Sequence, residues 1–140
     1  MERDLPNILG KIDGKSKVIQ VYIDNKPYLW HSPYEESFHA DILSKLLINS
    51  RIPYKTRLDF QKKKIPLEKD EELNYELVGA GVSERVSEKV IKYYGGSGSY
   101  FELYGIKLKH LEDVFKNEKV KIIKENERMV EPVYLVESLD

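Results

Sequence analysis

Alternation of apolar and polar residues organises the first part of the chain. KVIQVYID, residues 17–24, alternates and is rich in β-branched side chains, and Asn25, Lys26 and Pro27 make a turn into PYLWH, so a β-hairpin is expected. Ser32, Pro33 and Glu35 then supply a helix start: a hydroxyl cap, a proline at the first helical position and a carboxylate placed to complete a capping box. The helical period puts Phe38, Ile42, Leu43 and Leu46 on one stripe and turns Glu36, Asp41, Ser44 and Lys45 away, which predicts a helix running to about Asn49. His39 falls near the middle of the apolar stripe, in the second turn of that helix.

Further on, YKTRLDF (54–60) alternates as a strand and leads into a charged loop over 61–72. LNYELV (73–78) reads as another strand, closed by Gly79, Ala80 and Gly81, and KVIKYY (89–94) as the next, broken by GGSGS at 95–99. Leu108, Leu111, Val114 and Phe115 stand at helical spacing in a second amphipathic helix over 107–117, and KVKII and MVEPVYLVE follow as strands. Strands outnumber helices, and strand pairs separate the two helices. The expected fold is therefore α+β, a single mixed β-sheet flanked by two main helices. Residues 1–15, with Pro6, Gly10 and Gly14, read as an irregular arm or a short leading strand.

Composition narrows the possible chemistry. The 140 residues suit one domain and contain no Cys, which removes disulfides, thiolate metal sites and cysteine nucleophiles together. Lys and Arg (23) nearly balance Asp and Glu (24), so no global field draws the chain to nucleic acid or to anionic membrane. Charged residues make up 34% of the chain, with Lys and Glu dominant, a balance common in proteins of hyperthermophiles. The opening MERDLPNILGKIDGK lacks the apolar stretch of a signal peptide, and no run approaches a membrane span, so a cytoplasmic location is expected.

His39 is the foremost candidate for chemistry. A lone histidine on an apolar face is commonly a packed one, but closeness to the positive end of the helix dipole favours the neutral ring, which can act as base or nucleophile near neutral pH. The GGSGS turn could aim successive N–H groups at a phosphate, or be a plain surface loop. Gly79, Ala80 and Gly81 suit a turn or the wall of a site. Lys62, Lys63 and Lys64 could touch phosphates, although the acidic residues that follow make a solvated loop the simpler reading. His31, His39 and His110 lack close ligand spacing, and no metal or other cofactor is expected. Trp30, Tyr93, Tyr94, Tyr100 and Phe101 could stack on bases, or pack in the sheet.

In order, these segments resemble the Janus-type phosphohistidine phosphatases, small proteins with a β-sheet flanked by two helices. The resemblance rests on Lys17 opening the first strand in SKVIQVYI, on HAD in FHADIL, and on the glycine triplet in VGAG. KVIKYYGGSGSY, with its Tyr-Gly turn and serine, and the helix and strand of HLEDVFKNEKVKI complete it. It spans residues 17–122 and implies the phosphohistidine phosphatase fold, with an insert around 54–72 and a C-terminal extension over 123–140 that carries a strand. By this resemblance His39 is catalytic with Lys17 assisting, and the turn of Gly96, Ser97, Gly98 and Ser99 holds the phosphoryl group. The family carries an arginine after the triplet to help hold phosphate; Val82 stands there in this chain, and Arg85 is the nearest substitute.

The expected activity is hydrolysis of a P–N or related phosphoryl bond on a phosphorylated protein or small molecule. A non-catalytic binding protein of the same fold is the alternative, with a phosphate-bearing ligand, nucleic acid or a protein as partner. A third possibility is a structural module in which His39 is simply packed. Monomer and dimer fit the sequence equally, and no membrane partner is expected.

Overall fold

The computed structural model describes residues 14–33, 38–103, 105–126 and 132–139. Its strands are β1 (Lys15–Ile23), β2 (Lys26–Pro33), β3 (Thr56–Leu58), β4 (Lys64–Pro66), β5 (Lys69–Asp70), β6 (Tyr75–Ser87), β7 (Val90–Tyr94), β8 (Val120–Asn126) and β9 (Val133–Ser138). Two α-helices join them, α1 (His39–Asn49) and α2 (Leu108–Val114). The main sheet runs β2-β1-β6-β7-β9-β8, with β5 on the leading end of β6, and β3 and β4 form a separate ribbon. Each pairing among the described residues is antiparallel. The fold is α+β, as the periodicities predict.

Side-chain alternation along the strands splits the apolar residues between the two faces of this sheet. Ile19, Val21, Ile23, Tyr28, Leu77 and Ala80 pack with Ile42, Leu43, Leu46 and Leu47 of α1 on one face. Val18, Leu29, Ile91, Tyr93, Tyr134 and Val136 pack with Leu111 and Val114 of α2 on the other. Each helix thus covers one face.

Several boundaries differ from the sequence expectation. The hairpin turn is Asp24-Asn25, both at positive φ (53° and 65°), the conformation that matches the right-handed twist of the flanking strands. Pro27 lies within β2, which tolerates it as an edge strand. β2 continues to Pro33 opposite Ser16, so ladder pairing with β1 takes Ser32 and Pro33 into the sheet instead of a helix start; Glu35 lies outside the described residues. Helix α1 begins at His39, after Phe38, with the Asp41 carboxylate accepting the Phe38 N–H at 3.1 Å. His39 is therefore in the first turn, closer to the dipole's positive end than its place in the apolar stripe suggested.

The expected strand at 54–60 is shorter, and the charged loop after it contains β4 and β5. Helix α2 is also shorter than its period suggested. The C-terminal segment is no appendage: β9 lies between β7 and β8, within the sheet. Of the expected N-terminal arm, residues 1–13 fall outside the described residues.

The glycine triplet does not close a strand; β6 runs through it to Ser87. Gln20 pairs with Gly79 and Val21 with Leu77, so Val78 is the extra residue of a bulge. The fully buried Gln20 side chain donates from Nε2 to the Lys107 carbonyl (2.9 Å) and accepts the Lys107 N–H at Oε1 (2.8 Å). That double bond pins the start of α2 to β1, and it needs the empty space above Gly79. A Cβ at residue 79 would stand 2.0 Å from the Gln20 Oε1 and 2.9 Å from the Gly105 carbonyl oxygen. Gly79→Ala should accordingly destabilise the fold by about 1–3 kcal/mol, read as a lower midpoint in urea unfolding, whereas Ala80→Gly should cost only about 1 kcal/mol.

His110 of α2 is buried, its Nε2 donating to the Val21 carbonyl at 3.1 Å and its ring edge-on to Tyr22. Burial pushes its pKa down from 6.5 to about 4. The unfolded chain then binds the proton more tightly than the folded one, so stability is full above about pH 6.5 and falls as pH drops toward 4. This group alone accounts for about 3 kcal/mol of that loss. Unfolding free energies measured across pH 4 to 7 should show the slope, and His110→Gln, which keeps a donor for Val21, should flatten it.

Candidate functional site

Strand β1 carries Lys17 on the same face as Ile19 and Val21, directly opposite Val82 of β6 in the ladder. The pair forms the floor of a cleft of about 460 Å³. One wall is the start of α1, contributing Phe38, His39, Ala40 and Asp41; a second is the loop after β7, contributing Gly96, Gly98 and Ser99. The β3–β4 ribbon closes a third side with Asp59, Phe60, Gln61, Lys63, Lys64 and Ile65. Sequence-remote segments therefore converge on the one buried histidine of α1.

His39 is only 5% exposed, yet it lines this cleft. The pairing of β6 with β7 ends at Val82 and Tyr94, one residue short of Gly81, and the His39 Nε2 meets the Gly81 carbonyl at 2.8 Å. A carbonyl oxygen can only accept, so Nε2 carries the hydrogen, and in the neutral ring the lone pair is on Nδ1. Burial holds the His39 pKa below 6.5; the bond to Gly81 works against this, and the Lys17 ammonium reinforces it. The helix dipole acts in the same direction, since the ring belongs to the first residue of α1. His39 is thus a neutral base at neutral pH.

Anion-attracting groups surround it. The first N–H groups of α1 have no partner within the helix, because the first helical bond runs from the Ile42 N–H to the Phe38 carbonyl. The Lys17 Nζ lies 4.8 Å from the centre of the Phe38 ring, and the Lys63 Nζ 5.7 Å from it. Among the described residues the cleft carboxylates are Asp41 and Asp59, and both accept from backbone donors: Asp41 from the Phe38 N–H, and Asp59 from the N–H groups of Gln61 (2.8 Å) and Lys63 (2.9 Å).

Tyr100 ties the glycine-serine loop to the ribbon. Its N–H donates to the Ser97 Oγ at 3.1 Å, which turns Ser97 away from the cleft lining, and its hydroxyl donates to the Pro66 carbonyl at 2.7 Å. Arg57 stands over the Tyr100 ring and grips Glu68 with two bonds of 2.7 and 2.9 Å. The Ser44 and Tyr54 hydroxyls, 2.7 Å apart, join this region to α1.

Of the residues nominated from sequence, His39, Lys17, Gly96, Gly98 and Ser99 line one cleft, and Ser97 braces its loop. Arg85 is not brought to it. Its Nη1 donates to the carbonyls of Ser87 (3.4 Å) and Glu88 (3.0 Å), closing the β6–β7 turn, and Val82 occupies the floor where the resemblance places an arginine. Sequence reasoning missed Phe38 and Phe60 as lining residues, and weighed Lys63 and Lys64 as phosphate contacts but preferred a solvated loop. The signal was Asp59 ahead of a lysine run, an Asx-type loop that turns those lysines back over the helix start. Among the described residues no group of three or more His, Asp or Glu is placed to hold a metal, and no helix is long and apolar enough to cross a membrane.

The coupling of Lys17 to His39 can be read directly. Following the His39 ring protons by NMR against pH should give a pKa below 6.5, and Lys17→Gln should raise it by removing the nearby positive charge; an unchanged value would show that the two do not interact. Compared with known proteins, the chain matches no protein-family model, no curated protein and no solved structure.

Proposed function

We propose that this cleft hydrolyses a P–N or related phosphoryl bond, with His39 as the reacting residue. One observation carries the reading: the Nε2–H bond to Gly81, which leaves a neutral imidazole with its lone pair on Nδ1, in a residue that lines a cleft rich in anion-binding groups. Phosphoryl transfer asks a protein chiefly for positioning and charge stabilisation. Lys17, the N–H groups opening α1 and the loop of Gly96, Gly98 and Ser99 supply these around the phosphoryl oxygens. The Nδ1 lone pair either takes a proton from the attacking water or attacks phosphorus itself, giving an N-phosphorylated His39 that water then cleaves. In the first route His39 returns the proton taken from water to the leaving nitrogen; in the second, solvent water protonates that nitrogen as the P–N bond breaks, and a further water releases phosphate from His39. Detection of chain phosphorylated at His39 during turnover separates the two.

A second reading, a protein that holds a phosphate-bearing ligand without turnover, is favoured by the placement of Arg85. The cation that the resemblance assigns to phosphate faces the β6–β7 turn instead.

Phosphate release from a phosphohistidine peptide tests both. The wild-type chain should exceed buffer, and His39→Ala and His39→Asn should each lose about 100-fold or more of the activity. Because the base form of His39 is required, kcat/KM should be flat above pH 6.5 and fall as pH drops through the lowered His39 pKa. A wild-type rate equal to buffer would sink the catalytic reading in favour of the binding one, and variants as active as wild type would remove His39 from the mechanism.

A further inference from the structure

We propose that Tyr100 is a positioning residue of the phosphoryl site: it fixes the loop of residues 96–99 against the β3–β4 ribbon, and so sets how tightly the cleft holds a phosphoryl group. The proposal rests on the phosphoryl site described above and adds what keeps one of its walls in place.

The loop has little of its own to hold it. Three of the five residues over 95–99 are glycine, the residue type that gives up most backbone freedom when one conformation is imposed. A Cβ at Gly98 would meet no atom of the described residues within 4 Å. N–H groups serve a phosphoryl group best when they are aimed before it arrives. That aim has to come from the two ends of the loop.

One end is the sheet, where the ladder between β6 and β7 stops at Val82 and Tyr94 and Gly95 turns away at a φ of 72°. The other end is Tyr100, which is fully buried. Its N–H donates to the Ser97 Oγ (3.1 Å), and its hydroxyl donates to the Pro66 carbonyl (2.7 Å), 34 positions back in the chain. Lys64 and Ile65 of the cleft lining immediately precede Pro66, and Gly98 and Ser99 immediately precede Tyr100. The hydroxyl bond therefore sets the separation of two cleft walls. Arg57 reinforces it from the ribbon: its guanidinium stands 5.9 Å from the centre of the Tyr100 ring and 3.6 Å from the Glu102 carboxylate, and the same group grips Glu68.

A second buried tyrosine separates positioning from mere stability. The Tyr75 hydroxyl donates to the Leu67 carbonyl at 2.8 Å, one residue beyond Pro66, but Tyr75 belongs to β6 and ties the ribbon to the sheet instead of to the loop. Both tyrosines brace the ribbon, and Tyr100 alone of the two reaches the phosphoryl wall.

Binding of inorganic phosphate to the full chain, followed by NMR at the amides of Gly96, Gly98 and Ser99, provides the test. Wild type should bind with shifts at these amides, and Tyr100→Phe, which removes only the hydroxyl, should bind about three- to ten-fold more weakly. Tyr75→Phe should lower the urea midpoint about as much and keep wild-type phosphate affinity. Ser97→Ala breaks the tie from the loop side and should weaken phosphate binding as well. The two bonds stand in series, so the loss in the double variant Ser97→Ala, Tyr100→Phe should be smaller than the product of the single losses. Wild-type affinity in Tyr100→Phe, an equal loss in Tyr75→Phe, or losses that multiply in the double variant would each overturn the proposal. If Tyr100→Phe fails to fold, Ser97→Ala decides: wild-type phosphate affinity there overturns the proposal, and a loss at those amides supports it. Failure of the wild-type chain to bind phosphate would remove the phosphoryl site itself and the proposal with it, whereas binding that is indifferent to Tyr100 removes only the proposal.

Discussion

Strand β6 passes between both helices, and two positions on it where no side chain projects govern how everything else approaches. Above Gly79 the Gln20 amide lies flat enough to bond both backbone groups of Lys107, which sets the entry of α2 on one face of the sheet. At Gly81 a Cβ would stand 2.5 Å from the Tyr94 carbonyl oxygen and 3.0 Å from the Ile106 side chain. The missing side chain therefore lets the end of β7 fold closely over β6, and the Gly81 carbonyl is the acceptor that orients His39 from the other face. The cleft inherits its geometry from close backbone approach at these two residues.

The same arrangement explains why a buried histidine suits chemistry better than a surface one. The bond to the Gly81 carbonyl selects the tautomer, and low exposure with a neighbouring ammonium keeps the ring neutral. His110 is as deeply buried on the opposite face and is also held neutral, but it is packed against Tyr22 beneath α2, and it lines neither the cleft nor its walls. Burial and a lowered pKa are thus shared by a structural histidine and by the candidate reacting one; access to a cleft with anion-binding groups separates them.

The segment that interrupts the resemblance between α1 and β6 is built into the site. Through Tyr100 it is bonded to the loop that follows β7, and through Tyr54 to α1, so ribbon, loop and helix form one braced rim. Val82 on the floor brings no charge, and Lys63 and Lys64 bring theirs from the opposite side. The C-terminal strand is equally integral, since β9 separates β7 from β8.

What the sequence determined by itself was local. Alternation in KVIQVYID, the helical stripe from Ile42 to Leu46, and the order of Lys17, His39 and the glycine-serine turn were legible because residues within one element share a period set by its backbone. Boundaries were less so: Ser32 and Pro33 carry a helix-start signal, but pairing with β1 offered their backbone a ladder, and that contest is settled by a partner strand some sixteen positions away. The glycine triplet looked like a turn because nothing local announces that the Gln20 side chain and the end of β7 need its empty space. Lys63 and Lys64 looked like a solvated loop, Phe60 like the end of a strand, and Arg85 like a substitute anion ligand, for the same reason. Which residues share a cleft depends on how the two faces of the sheet are covered and on the hydrogen bonds that lock the ribbon and loop together, and only the tertiary structure decided those.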